Sequence, residues 1–390
     1  MAGQVACPPY DVLNEEQVVE IAAGNQLSFV RVIRAEVDFD PGTDSHRPEV
    51  YAQGRANLDS LTERGVLIRD ESPCLYIYRM LAEGHTQYGL VAGVSVEEYH
   101  AGRIKPHEHT RPEKVDDRAH HIEVLGANTG PVLLAYPDAD DVTQLVRRVC
   151  TGCDPLCECS GDDGVLHALW RVADRAKIDE LRSAFSDIPA LYIADGHHRA
   201  AAAARLHENE PAGNRAHFLG VCFPASEMRI LGYHRLVLGL TGLGAGEFLR
   251  RVEERFEVTA ADGKKGLPRE QGVIGMFLAG RWYHLRARPG TWPAGDPVVS
   301  LDAEVLQAEL LRPVLGIADP RTDGRLDFIG GHGSITQIES RLEGRGGVAF
   351  ALAPVAIEQM MRVADAGRVM PPKSTWFEPK LRSGLIIRPL

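Results

Sequence analysis

Short apolar runs alternate with helix-period segments through most of the chain, and this alternation predicts an α/β to α+β fold. Two observations support it. The length, 390 residues, suits two domains. At Ala190 to Arg199 an apolar run ends in Asp195-Gly196, and His197-His198-Arg199 lead at once into five alanines. That pattern is a strand turning sharply into a strong helix former.

The elements follow in order. Pro8-Pro9-Tyr10-Asp11 opens a loop, because the first proline restricts Cys7 and neither proline donates a hydrogen bond. Ser28 to Ile33 alternates as a strand, and Glu49 to Arg64 reads as a helix stopped by Gly65. Leu75 to Arg79 and Tyr88 to Val96 predict a hairpin about Glu83-Gly84. Arg103 to Pro112 is a polar loop, followed by a helix over 113–127, a strand over 132–136 and a helix over 141–149. The Cys150 to Gly164 stretch is a turn-rich tip, then come a strand over 165–172 and a helix over 178–185. Met228 to Leu238 reads as a strand, Gly246 to Phe256 as a helix, and 273–278 with 282–286 as a second hairpin. Ala303 to Leu311 is a helix, and 326–330, 335–342, 348–352 and 355–366 alternate strand and helix. The expected domains are 1–222 and 223–390, the second with a C-terminal loop that returns to the first.

Composition excludes several classes. The net charge of −11 argues against broad binding to nucleic acid or anionic membrane, though it permits a local basic pocket. No window approaches the roughly 18 apolar residues of a membrane-spanning helix. The N-terminus has no basic and apolar leader pattern, so cytoplasm is the expected location. No G-x-x-x-x-G-K-[ST] occurs, and Gly242-Leu243-Gly244-Ala245-Gly246 lacks the dinucleotide-loop spacing. Cys7, Cys74 and Cys222 read as reduced thiols. Cys150, Cys153, Cys157 and Cys159 have thiolates suited to zinc, but their spacing is poor for it, so zinc is not the favoured reading.

Three clusters carry chemistry. At Asp195-Gly196-His197-His198-Arg199 the first helical N–H groups, the helix dipole and a guanidinium converge on the turn, forming a phosphate cradle. Lys105-Pro106-His107-Glu108-His109-Thr110-Arg111 sets one carboxylate among cations, with Lys105, His107 and Arg111 as substrate-loop candidates. The third is Met370-Pro371-Pro372-Lys373-Ser374-Thr375. Plainer readings stand beside these: a capped surface corner, an ion-pair loop and a self-capped turn.

Together with Pro8-Pro9-Tyr10-Asp11-Val12, these clusters resemble, in order, the landmarks of the family catalogued as domain of unknown function 1015. That family is similar to the archaeal free-serine kinase and, through it, to the ParB/sulfiredoxin-like superfamily. The resemblance implies a ParB/sulfiredoxin-like nucleotide-binding domain. It implies Glu108 as general base toward a serine hydroxyl, and Asp195 as a carboxylate near the phosphates and magnesium. It implies phosphate binding by Gly196, His197, His198 and Arg199, with Lys373, Ser374 and Thr375 as a closing loop. The expected activity is phosphoryl transfer from ADP or ATP to a small hydroxyl substrate, free L-serine leading, with Mg2+ as cofactor. The alternatives are a non-catalytic ParB-like regulatory module and a nucleotide phosphohydrolase.

Overall fold

Val132–Tyr136 is buried at every position, as befits an interior strand of a sheet covered on both faces. In the computed structural model of the protein it occupies that place. The structure describes residues 1–390 apart from 212, 263–265, 289, 291–294 and 332–333. They form two units: residues 1–228 with 379–390, and residues 229–378.

The first unit is built on strands β1 (Leu75–Ala82), β2 (His85–Ser95), β3 (Ile104–Lys105), β5 (Val132–Tyr136), β6 (Cys157–Ser160), β7 (Leu166–Val172), β8 (Leu191–Asp195) and β9 (His217–Pro224). A short β4 (Ala127–Asn128) pairs separately with Arg388–Pro389. The large sheet runs β3-β8-β5-β9-β2-β1-β7-β6. The β3–β8 and β5–β9 pairs are parallel and the other neighbours antiparallel. The first four helices are α1 (Ala2–Val5), α2 (Glu15–Ala22), α3 (Val30–Ile33) and α4 (Pro48–Glu63). After them come α5 (Val96–His100), α6 (Pro112–Leu125), α7 (Asp140–Cys150), α8 (Arg175–Ser186) and α9 (His197–Asn209). The alanine run lets α9 pack closely: Ala200, Ala203 and Ala204 join the core of the sheet, while Ala202 and Leu206 meet Val115, Ala119 and Ile122 of α6.

The second unit has β10 (Arg229–Leu231), β11 (Tyr233–Leu238), β12 (Phe256–Ala261), β13 (Val273–Leu278), β14 (Arg281–Ala287), β15 (Leu326–Gly330), β16 (Gly347–Ala351) and β17 (Trp376–Glu378). Its antiparallel sheet runs β12-β14-β13-β16-β11-β15, and β10 pairs with β17. Its helices are α10 (Ala245–Glu253), α11 (Asp302–Leu306), α12 (Ser334–Leu342) and α13 (Ile357–Asp365). The α/β to α+β expectation therefore holds, and both expected hairpins form. Among the described residues, no helix is long and apolar enough to cross a membrane.

Several expectations need correction. Ser28 to Ile33 is not a strand: its apolar residues close a helical turn, α3, which buries Phe29, Val30, Val32 and Ile33. Met228 to Leu238 breaks at Gly232, where a Cβ would stand 2.5 Å from the Leu352 carbonyl oxygen. The helix expected to reach Phe256 ends at Glu253, and Phe256 opens β12. The Cys-rich tip contributes an edge strand, β6. The expected domain boundary at 222 would cut β9, which runs to Pro224 between β2 and β5; the units divide after Met228, and residues 379–390 join the first.

That last segment is tied down along its length. Ser383 and Cys7 exchange backbone hydrogen bonds of 2.9 and 3.1 Å. The Arg382 backbone N–H donates to the Tyr78 hydroxyl at 3.2 Å, and its guanidinium reaches His167 and Asp163. Gly384 adopts φ 89°, and a Cβ there would stand 2.6 Å from Cβ of the fully buried Phe29. Gly384→Ala is expected to lower unfolding free energy by about 2–4 kcal/mol, from left-handed strain plus overpacking. Gly24→Ala, at φ 66° with nothing within 4 Å of the added Cβ, should cost only about 1 kcal/mol. Denaturant midpoints of the two variants check this; equal losses would refute the packing argument.

Candidate functional site

The site forms where β8 ends. Gly196 takes φ 93° between β8 and α9, a left-handed conformation, and no side chain caps α9. A Cβ on Gly196 would stand 3.0 Å from both Cζ and Nε of Arg199. Glycine is therefore required twice over, by conformation and by the guanidinium beneath it.

Arg199 is 8% exposed. Its Nη2 donates to Asp195 Oδ2 at 2.7 Å and lies 3.8 Å from Asp11 Oδ2, and its Nη1 donates to the Pro131 carbonyl. The sequence gives Arg199 a phosphate-binding role; in the structure its guanidinium is buried and ties the corner together. Burial alone would raise the Asp195 pKa, but Lys380, with Nζ 3.2 Å from Oδ1, and Arg199 together hold it well below the usual carboxylate range. Neither Asp11 nor Lys380 was given a site role by sequence reasoning. Asp11 lay in a recognised motif, which was a usable signal; Lys380 had none.

The polar loop is pinned to the start of α9. The His107 backbone N–H donates to His197 Nε2 at 3.4 Å, and the Arg111 N–H donates to His198 Nε2 at 3.1 Å. Both imidazoles thus act as acceptors at Nε2 and carry their proton on Nδ1 when neutral. His197 Nδ1 faces Glu108 Oε2 at 4.0 Å, and the Glu108 side chain is 39% exposed. His107 donates from Nδ1 to the Ile193 carbonyl at 2.8 Å, and its ring meets that of His197 edge-on at 4.6 Å. Lys105 lies on β3, its Nζ 5.8 Å from the Tyr192 ring centre. Helix α6 also starts here, at Pro112, with no side-chain cap. Two helix N-termini without side-chain caps are therefore linked by the Arg111–His198 bond, and the positive ends of their dipoles favour an anion there.

Lys373, Ser374 and Thr375 lie in the second unit. The buried Arg235 donates to the carbonyls of Lys373 at 3.0 Å and Pro372 at 3.1 Å, and Ser374 Oγ donates to the Pro371 carbonyl at 2.7 Å. Lys373 sits at φ 56°, with Nζ 5.7 Å from the Tyr233 ring centre. Cys150 ends α7, Cys153 follows it exposed, and Cys157 and Cys159 share one face of β6. Among the described residues no group of three His, Cys, Asp or Glu is arranged to hold a metal.

Burial pushes the His107 imidazole down to about 4, despite its bond to Ile193, and burial beside His107 holds His197 well below its ordinary value. An unfolded imidazole takes its proton near pH 6.5, the folded His107 only near 4. The unfolded chain therefore binds more protons in that window. His107's contribution is full above pH 6.5 and is lost as pH falls toward 4, by about 1.4 kcal/mol per pH unit. Urea unfolding at pH 7 and pH 5 should show this loss. His107→Asn, which keeps a donor for Ile193 but does not titrate, should reduce the drop by about 2 kcal/mol. An unchanged drop would mean that His107 does not titrate in this window.

No curated protein matches this chain. Among solved structures, a free serine kinase variant in complex with AMP is similar at TM-score 0.40 and 14% identity, over 76% of this chain and 92% of that one. SbnI with a C-terminal truncation, from Staphylococcus aureus, is similar at TM-score 0.40 and 12% identity, over 76% and 87%. A conserved hypothetical protein from Pyrococcus furiosus is similar at TM-score 0.37 and 13% identity, over 76% and 95%. At the level of sequence the match is direct and spans residues 1–304, including the Asp11, Glu108 and Asp195 motifs: the chain belongs to the family described as "Protein of unknown function (DUF1015)".

Proposed function

We propose that this chain transfers a phosphoryl group from ADP or ATP to a small hydroxyl substrate, with free L-serine the leading acceptor. The observation that carries the reading is the half-exposed Glu108, 4.0 Å from His197 at the start of an uncapped helix. A carboxylate at that distance from an anion-binding helix end can orient a hydroxyl and take its proton as the oxygen attacks phosphorus. The two helix N-termini would hold the phosphates, and in-line transfer needs little beyond that positioning and charge stabilisation. The order Lys-Pro-His-Glu then Asp-Gly-His-His-Arg, which also occurs in the archaeal free-serine kinase, supports the acceptor. Closure of Lys373, Ser374 and Thr375 over the phosphates belongs to the proposal.

Magnesium fits as an ion carried in on the phosphates. Both Asp195 oxygens already face a cation, Lys380 at 3.2 Å and Arg199 at 2.7 Å, so the remaining donors are phosphate oxygens and water. When bound it would screen the phosphate charge. His197 and His198 would dock the Glu108 loop through Nε2, which accepts backbone N–H bonds, leaving Nδ1–H as the edge that a phosphate would meet.

Glu108→Gln keeps the shape and loses the base. It should bind Mg·ADP within about threefold of wild type, while phosphoserine formation falls roughly 10²-fold or more. Calorimetry and phosphorus NMR with magnesium, ADP or ATP, and serine measure the two quantities. Near-normal turnover would reject Glu108 as base. Nucleotide hydrolysis independent of serine would favour the phosphohydrolase, and binding without turnover the regulatory module.

A further inference from the structure

The Lys380 ammonium lies 3.2 Å from Asp195 Oδ1, and only 15% of its side chain is exposed. Asp195 Oδ2 is held by Arg199, so the carboxylate is gripped at both oxygens, by one cation four residues on and another 185 residues on. Arg199 sits one turn into the helix that follows Asp195, whereas Lys380 arrives from the segment 379–390. The anchors that fix this segment begin at Arg382. Its bonds to the Tyr78 hydroxyl and His167 are buried, and Ser383 pairs with Cys7 next to them. Farther on, Arg388 donates to the carbonyls of His217 and Asn214, and the Leu390 N–H donates to that of Gly126. A segment held at this many points fixes the backbone from which the Lys380 side chain reaches Asp195.

We propose that Lys380 is a positioning residue of the Asp195 site, delivered by the C-terminal segment, and that it acts on the reaction through the Asp195 carboxylate. This rests on the phosphoryl-transfer reading above. Without Lys380 the carboxylate keeps, among the described residues, its hydrogen bond to Arg199 alone and can rotate about that contact. A small misplacement of a group at the transferring phosphate is enough to slow the step severely. Lysine is suited to this place because it offers one compact charge to one oxygen, leaving the other to the guanidinium.

A double-mutant cycle tests it. Phosphoserine formation is measured with magnesium, ADP or ATP, and serine for Lys380→Met, Asp195→Asn and the double variant, with Lys380→Arg as rescue and thermal melting alongside. Lys380→Met should melt close to wild type and lose about tenfold or more in rate, and Lys380→Arg should recover most of that loss. In the Asp195→Asn background, Lys380→Met should change the rate by less than about twofold, because residues acting as a unit are not additive. Losses that multiply in the double variant overturn the proposal, as does a wild-type rate in Lys380→Met. A Lys380→Met variant that melts early, with no recovery in Lys380→Arg, makes Lys380 a structural tie and also overturns it. A wild type that forms no phosphoserine overturns the transfer reading and this proposal with it, whereas multiplying losses overturn this proposal alone.

Discussion

The buried guanidinium of Arg199 is the constraint on which the first unit's site depends. A charge 8% exposed must be met by acceptors, and here they are the Asp195 carboxylate, the Asp11 carboxylate and the Pro131 carbonyl. Each acceptor comes from a different stretch of chain: the end of β8, the turn after the N-terminal prolines, and the loop entering β5. Meeting the charge therefore brings three stretches together. It also bears on two glycines: a Cβ would approach the Arg199 side chain to 3.0 Å at Gly196, whose φ of 93° favours glycine as well, and to 3.3 Å at Gly130. Removing one partner from such an arrangement leaves a buried charge exposed to its full desolvation cost, of order 3–5 kcal/mol.

Around that centre the histidines do a different job from the one their charge suggests. His107, His197 and His198 are all shifted downward, each chiefly by burial, and the bonds they make are those of neutral rings. Two of them accept backbone N–H bonds from the Glu108 loop. The loop is thus docked through directional contacts that cost little charge burial.

Much of this was legible in the residues because it is local. The strand-to-helix turn at Asp195-Gly196 and both hairpins follow from apolar runs, glycine and the alanine series, which encode backbone shape over a few positions. The meeting of Glu108 with His197 was reachable only through the chemistry the motifs share. What was not legible is what depends on long-range burial. Arg199 reads as a phosphate-binding cation, and nothing nearby in sequence says that Asp11 will lie beside it. Lys380 is one lysine among ordinary neighbours until the chain brings it to Asp195. Ser28 to Ile33 alternates like a strand, yet its apolar residues bury more completely as a turn of helix against their neighbours.

The first unit is discontinuous, and this orders events during synthesis. Residues 229–378 emerge from the ribosome as one contiguous insert, able to close its own sheet, before residue 379 has been made. Throughout that interval Tyr78, His167 and the backbone of Cys7 wait without their partners from 382–383, and Asp195 has one cation in place of two. The nascent first unit can build its large sheet and still lack the last tie at its chemical centre. Completion of the site is thereby coupled to translation of the whole second unit, so that a chain halted within the insert carries the motifs without the finished arrangement.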